Sequence, residues 1–153
     1  MYRELIESFT QNNEWVKIQP PQTEKNIRVT EAVIGYSFPK ELRDLYLEMD
    51  GDAYLFYSLE KIVNKVKSMR EIWLPDFERD GNREEYMDRV DRFIFFAGNG
   101  CGDYYCYRVS PDGIADESVI YIWEHEYMGE TCCWKPVASN LKELITRYYH
   151  DEI

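Results

Sequence analysis

The chain is short of the residues on which most metal and nucleophile chemistry depends, with four cysteines and two histidines among 153 residues. Neither C-x-x-C nor H-x-x-x-H occurs, so the usual zinc spacings are absent. Cys101, Cys106, Cys132 and Cys133 are too few to scaffold a chain of this length, and the adjacent Cys132 and Cys133 are poorly placed to bridge each other. They read as reduced thiols, with no metal and no cofactor expected. No apolar run approaches the length of a membrane helix, and the opening MYRELIESFTQNN is charged where a secretory signal needs an apolar core. The expectation is a cytoplasmic protein with no membrane partner.

Basic charge is the other shortage. Eighteen Lys and Arg stand against 29 Asp and Glu, for a net charge of -11. Such a surface repels nucleic acid and anionic lipid, so direct nucleic-acid binding is disfavoured by the electrostatic term that usually supplies most of its affinity, and none is expected. Between Arg108 and Lys135 there is no Lys or Arg, yet the segment holds Asp112, Asp116, Glu117, Glu124, Glu126 and Glu130. A run of this kind is either a set of solvated loops and hairpin edges or a face for a basic protein.

Apolar residues make up 44% of the chain and aromatic residues 16%, enough for one domain of this length to bury a core. Helical spacing recurs five times. The first stripe is Tyr2, Leu5, Ile6 and Phe9. The second runs from an N-cap at Thr23 through Ile27, Glu31 and Ile34 to Gly35, and the third from Pro39 through Leu42, Leu45, Tyr46 and Met49 to Gly51. Ser58 opens the fourth, Leu59 to Trp73, and Ser139 or Asn140 opens the fifth, Leu141 to Tyr148. Between the last two the period falls to 2. Arg92 to Ala97, Asp103 to Val109, Ser118 to Glu124 and Thr131 to Ala138 read as an antiparallel meander, and Ala53 to Tyr57 as a further strand. Residues 75–91 form a charged excursion. Helices, then a block of strands, then a helix predict an α+β fold: a mainly antiparallel sheet of five or six strands, with helices on one face and at the ends. The other face is expected to be more open.

The stretch FIFFAGNGCGDYYCY, residues 93–107, has the look of a phosphate loop. Its spacing is G-x-G-x-G, no Lys follows, and a strand comes next, so neither a dinucleotide nor a P-loop fingerprint is met. A hairpin turn fits better, with Asn99-Gly100 suited to left-handed positions and the flanking glycines permitting a wider loop. Cys106 alternates with tyrosines, as a buried structural thiol would. His125, in WEHEY, has no nucleophile fixed beside it, and no catalytic residue is assigned. Val119, Tyr121 and Trp123 share one strand face by their spacing, and Ile120 and Ile122 share the other. One of these faces is core; the other is a candidate aromatic rim.

The order of signals is more specific than any one motif. Thr30-Glu31-Ala32-Val33-Ile34-Gly35, then Phe38-Pro39, Leu42 and Tyr46, then Asp50-Gly51, resembles the E-x-x-(I/L)-G-x-x-(L/F)-P…G signature opening the SUKH superfamily, in its SMI1/KNR4-like branch, that of the fungal cell-wall assembly regulator. Tyr57 to Ile62, Phe93 to Tyr107, Val119 to Trp123 and Val137 to Leu141 resemble its later elements, so the likeness covers about residues 20–150. The resemblance implies a non-catalytic α+β domain. Bacterial relatives are largely immunity proteins that neutralise toxins, often nucleases, of polymorphic or contact-dependent systems; fungal relatives are regulatory interaction scaffolds. The expected partner is therefore a protein toxin with a basic surface, met by a monomer or weak homodimer, and the alternative is a regulatory scaffold without a toxin. The expected partner-binding residues are the acids Asp112, Asp116, Glu117, Glu124, Glu126 and Glu130 for steering, with Tyr121, Trp123 and Tyr127 as anchors.

Overall fold

Capping chemistry sets both ends of the second helix and the start of the last, as predicted. In the computed structural model, which describes residues 1–79, 91–125 and 134–153, Thr23 accepts the Asn26 N–H at 3.2 Å and starts α2, Glu24–Ile34. Gly35 ends it in the left-handed region, at φ 90°. Asn140 caps the C-terminal helix by accepting the Glu143 N–H at 2.9 Å, and the Glu143 carboxylate reaches back to the Ser139 N–H at 2.8 Å. The other described helices are α1, Tyr2–Thr10, α3, Lys40–Glu48, and α4, Leu59–Arg79; the C-terminal one is α5, Leu141–Tyr149. The α4 helix thus enters the predicted excursion, and residues 80–90 lie outside the described residues.

The signature residues owe their order to one buried carboxylate. Glu31 lies on the buried side of α2, where it accepts the Phe38 N–H at 2.6 Å and pairs with Arg43 of α3, also at 2.6 Å. It thereby closes the turn that Gly35 permits and Pro39 leads into α3. Glu31→Ala is expected to cost about 2 kcal/mol by orphaning the Phe38 N–H and leaving the half-buried Arg43 guanidinium only its pair with Glu24 at 2.9 Å. A urea midpoint equal to that of the unaltered chain would show that this buttress carries no stability.

The sheet is antiparallel in the order β1-β2-β3-β4, with β1 Phe93–Gly98, β2 Tyr104–Arg108, β3 Ile120–Trp123 and β4 Trp134–Ala138. The α+β class is therefore as expected, but four strands form among the described residues, not five or six. The expected strand Ala53 to Tyr57 is reduced to one bridge, Phe56 to Ala97. The reason is local. Asp52 takes the N–H groups of Tyr54 and Phe56 on its Oδ1, at 3.0 and 2.8 Å, and Ala53 is left-handed at φ 58°, so the segment turns instead of extending.

Helices α3 and α5 meet the face that carries Tyr105 and Tyr107. The Tyr107 hydroxyl donates to Glu41 at 2.5 Å, and Tyr105 packs edge-on against Tyr148. The opposite face is closed at its centre and more open around it, where Tyr104, Tyr121 and Trp134 are half-buried. The register places Phe93, Phe95, Cys106 and Trp123 there, and all four have no exposed surface. The α4 helix reaches this side too, with the Lys65 ammonium 4.3 Å from the Tyr104 ring centre.

Candidate partner-binding surface

Strand β3 divides the expected binding residues into two groups. Asp112, Asp116 and Glu117 precede it and are exposed; Glu124 follows it and is half-buried. The four residues of β3 that stand between the groups span roughly 13 Å. The described acids therefore sit toward its two ends.

In the first group, Asp112 stands on a turn closed by bonds between Ser110 and both Gly113 and Ile114. Asp116 accepts the Ser118 N–H at 2.9 Å and its hydroxyl at 2.5 Å, which hold the Asp116 carboxyl below the usual range and so keep it ionised. Glu117 has a structural duty, since its carboxylate accepts the Lys40 N–H at 2.7 Å at the start of α3. A negative group suits that helix end. Asp112 and Asp116 thus remain as acids whose charge is turned outward without an ion pair described for either.

Of the expected anchors, Tyr121 is half-buried, its ring edge-on to Trp134 at 5.1 Å. Trp123 is corrected. Its indole has no exposed surface and packs edge-on to Phe93 at 5.3 Å and Phe95 at 5.7 Å, so it belongs to the core and cannot present itself to a partner. Its neighbours lie some thirty positions away in the sequence, which is why strand alternation did not reveal them. Glu126, Tyr127 and Glu130 lie outside the described residues, as do Cys132 and Cys133.

At the other end of β3, Glu124 pairs with Lys135 at 2.5 Å, and the glycine stretch forms a loop wider than a two-residue turn. Gly100 and Gly102 are left-handed, at φ 76° and 95°, whereas Asn99 is not. Asn99 Oδ1 instead accepts the Cys101 and Asp103 N–H groups, at 2.9 and 3.3 Å. Asp103 in turn accepts from both the ring Nδ1 and the backbone N–H of His125, at 2.7 and 3.1 Å. Burial pushes the Asp103 carboxyl up, but these bonds and one from Asn99 outweigh it and hold it below the usual range. The imidazole lies flat against the loop: a Cβ at Gly102 would come within 3.0 Å of its Nδ1. With Nδ1 committed to Asp103, the histidine locks the loop to the end of β3. Among the described residues, no group of three or more His, Cys, Asp and Glu is placed to hold a metal ion, and no helix is long and apolar enough to cross a membrane.

Two grooves flank this loop, and sequence reading found neither. One, of about 390 Å³, lies between Asp103, Glu124 and Lys135 on the strand side and Arg147 of α5. The other, of about 400 Å³, lies between Asn99 and Cys101 of the loop and Tyr54, Tyr148 and Tyr149. The one legible hint was the tyrosine pair closing the last helical stripe.

Residues 21–147 match the model of the SMI1 / KNR4 family (SUKH-1). No curated protein matches the chain.

Proposed function

Because the chain belongs to the SMI1/KNR4 family (SUKH-1), we propose that it is an immunity protein that binds and neutralises a protein toxin, a nuclease of a polymorphic or contact-dependent system. It acts by occupying a basic surface and performs no reaction of its own. The observation that carries this reading is the outward charge of Asp112 and Asp116 in a stretch that has no Lys or Arg from residue 109 to 134. Nuclease clefts are basic because they hold phosphodiesters. An acidic surface that meets one gains association rate and excludes the substrate. Glu126, Tyr127 and Glu130 continue the same run by sequence, and Tyr121 offers a partly accessible ring beside it. Glu117 and Glu124 contribute charge, but both are tied to neighbouring backbone or lysine.

The test is protection. The reading frame immediately upstream is expressed with and without this chain, and the purified pair is then measured by stopped flow. Growth arrest relieved by the chain is the expected result, with an association rate that falls about tenfold in the Asp112→Lys, Asp116→Lys double variant and falls again with salt. Unchanged rate and unchanged protection in that variant would place the binding face elsewhere. Absence of any protection would leave the chain as a regulatory scaffold.

A further inference from the structure

The groove between the glycine loop and the end of α5 is lined in a way that selects one kind of occupant. Three tyrosine rings wall it, with Tyr148 edge-on both to Tyr54, at 6.2 Å, and to Tyr149, at 5.2 Å. Rings set across one another leave clefts between them. Two of the three stand on α5, and burial together with the nearby Asp52 carboxylate pushes the Tyr149 hydroxyl up, so that it keeps its proton. Beside them, Trp15 donates its N–H to the lining residue Asn13 at 3.0 Å and is 74% exposed. Among the described residues no large apolar side chain is more exposed.

The polar groups of the lining are chiefly donors. The Asn13 carbonyl oxygen is taken by the Trp15 N–H, and that of Asn99 by the Cys101 and Asp103 N–H groups, at 2.9 and 3.3 Å. What remains to each is its NH2 group, and only that of Asn99 is engaged among the described residues, with Asp103 at 3.2 Å. Tyr54 adds a hydroxyl, and Trp15 adds an indole N–H. Asp151 stands at the mouth with no ion pair described for it, and no Lys or Arg is among the described residues that line the groove.

An occupant that suits these groups packs apolar ridges between aromatic rings, accepts hydrogen bonds without offering any, and brings positive charge to the mouth. A sugar stacks on aromatic rings but carries donors as well as acceptors, and a nucleotide carries a phosphate that Asp151 would repel. A proline-rich segment meets all three conditions. In polyproline II form its carbonyls make no internal hydrogen bonds, proline has no N–H to leave unmet, and the chain is already extended before it docks. A groove of about 400 Å³ is at the small end of ligand pockets, and one turn of such a chain is about three residues.

We propose that this groove docks a proline-rich segment of a partner protein in polyproline II form, its prolines seated among Trp15, Tyr54 and Tyr148, its carbonyls on the Asn13 and Asn99 amides, and a flanking Lys or Arg facing Asp151. The proposal does not depend on the toxin reading, since Asp112 and Asp116 stand before β3 and the glycine loop is tied to the residue that follows it.

The probe is an acetylated peptide of consecutive prolines with an arginine at each end, titrated into the full chain and followed by amide and indole NMR. One control peptide has glycine for every proline, and a second has glutamate for each arginine. Saturable shifts at Trp15, Tyr54 and Tyr148 are expected with a Kd of about 1 mM or below, and each control should bind about tenfold more weakly. Trp15→Ala and Tyr54→Ala should keep the unfolding temperature of the unaltered chain, because the two residues are 74% and 43% exposed, and each should bind the proline peptide about tenfold more weakly. Should Tyr54→Ala fail to fold, Trp15→Ala carries the test alone. Shifts confined to other faces, no saturation, equal binding of either control, or undiminished binding by a folded variant would overturn the proposal.

Discussion

Trp123→Ala is expected to lower the unfolding free energy by about 3–5 kcal/mol, the range for removing a large aromatic side chain from a packed core. The indole is wholly buried, edge-on to Phe93 and Phe95, at a register position paired with Tyr104 on one side and Trp134 on the other. Few residues could collapse into the space, because the surrounding rings are held by three strands. Urea denaturation followed by tyrosine fluorescence measures the loss. The folded fraction of the variant should still capture its partner at an undiminished rate, since the indole presents nothing to solvent. A variant that kept its stability and lost its partner would return Trp123 to the binding face and move it out of the core.

Gly51→Ala is expected to cost about 3 kcal/mol or more, the sum of two separate effects. Gly51 is left-handed at φ 78°, where a Cβ is disfavoured by about 1 kcal/mol. That Cβ would also stand 2.7 Å from the carbonyl oxygens of Phe56 and Tyr57, which are backbone and cannot swing aside. The Tyr57 carbonyl is further held by the Tyr46 hydroxyl at 2.5 Å, and the Gly51 carbonyl accepts the Gln19 N–H at 3.0 Å. Relief would require the 50–58 turn to lift away, taking Asp52 with it. Gly100→Ala separates the two effects, because Gly100 is left-handed at φ 76° with nothing within 4 Å of its Cβ direction. It should lose only about 1 kcal/mol. Equal losses at the two positions would mean that crowding at Gly51 adds nothing.

These two residues also show how far the sequence could be read. Gly51 reads as a helix stop from the stripe before it, but α3 already ends at Glu48 with Met49 extended, and the carbonyls crowding Gly51 come from a turn that folds back over it. Trp123 could be placed on a strand, and its face-sharing with Tyr121 follows from alternation. Which face is covered does not follow. Tyr121 is half-buried and Trp123 wholly so on the same face, because Phe93 and Phe95 from β1 reach one and not the other.

The glycine loop shows the same division at shorter range. That the chain reverses between Phe93 and Tyr107 is written in its glycines and aromatic runs. That Asn99 uses its side chain to bond Cys101 and Asp103 instead of turning left-handed depends on His125, 22 residues beyond Asp103, locking the loop from outside.

Read alone, the sequence determined the order of the five helices and of the four strands, the caps at Thr23, Gly35 and Asn140, the α+β class and the family signature around Glu31. These rest on interactions among residues a few positions apart, where periodicity and capping chemistry act. Only the tertiary structure decided that the described acids divide between the two ends of β3, that the second sheet face is closed at its centre, that Trp123 is core, and that Asp52 is buried where it holds the Tyr54 and Phe56 N–H groups. Those outcomes depend on strand register and helix docking, which bring together side chains from distant segments, and no local spacing encodes which of them will meet.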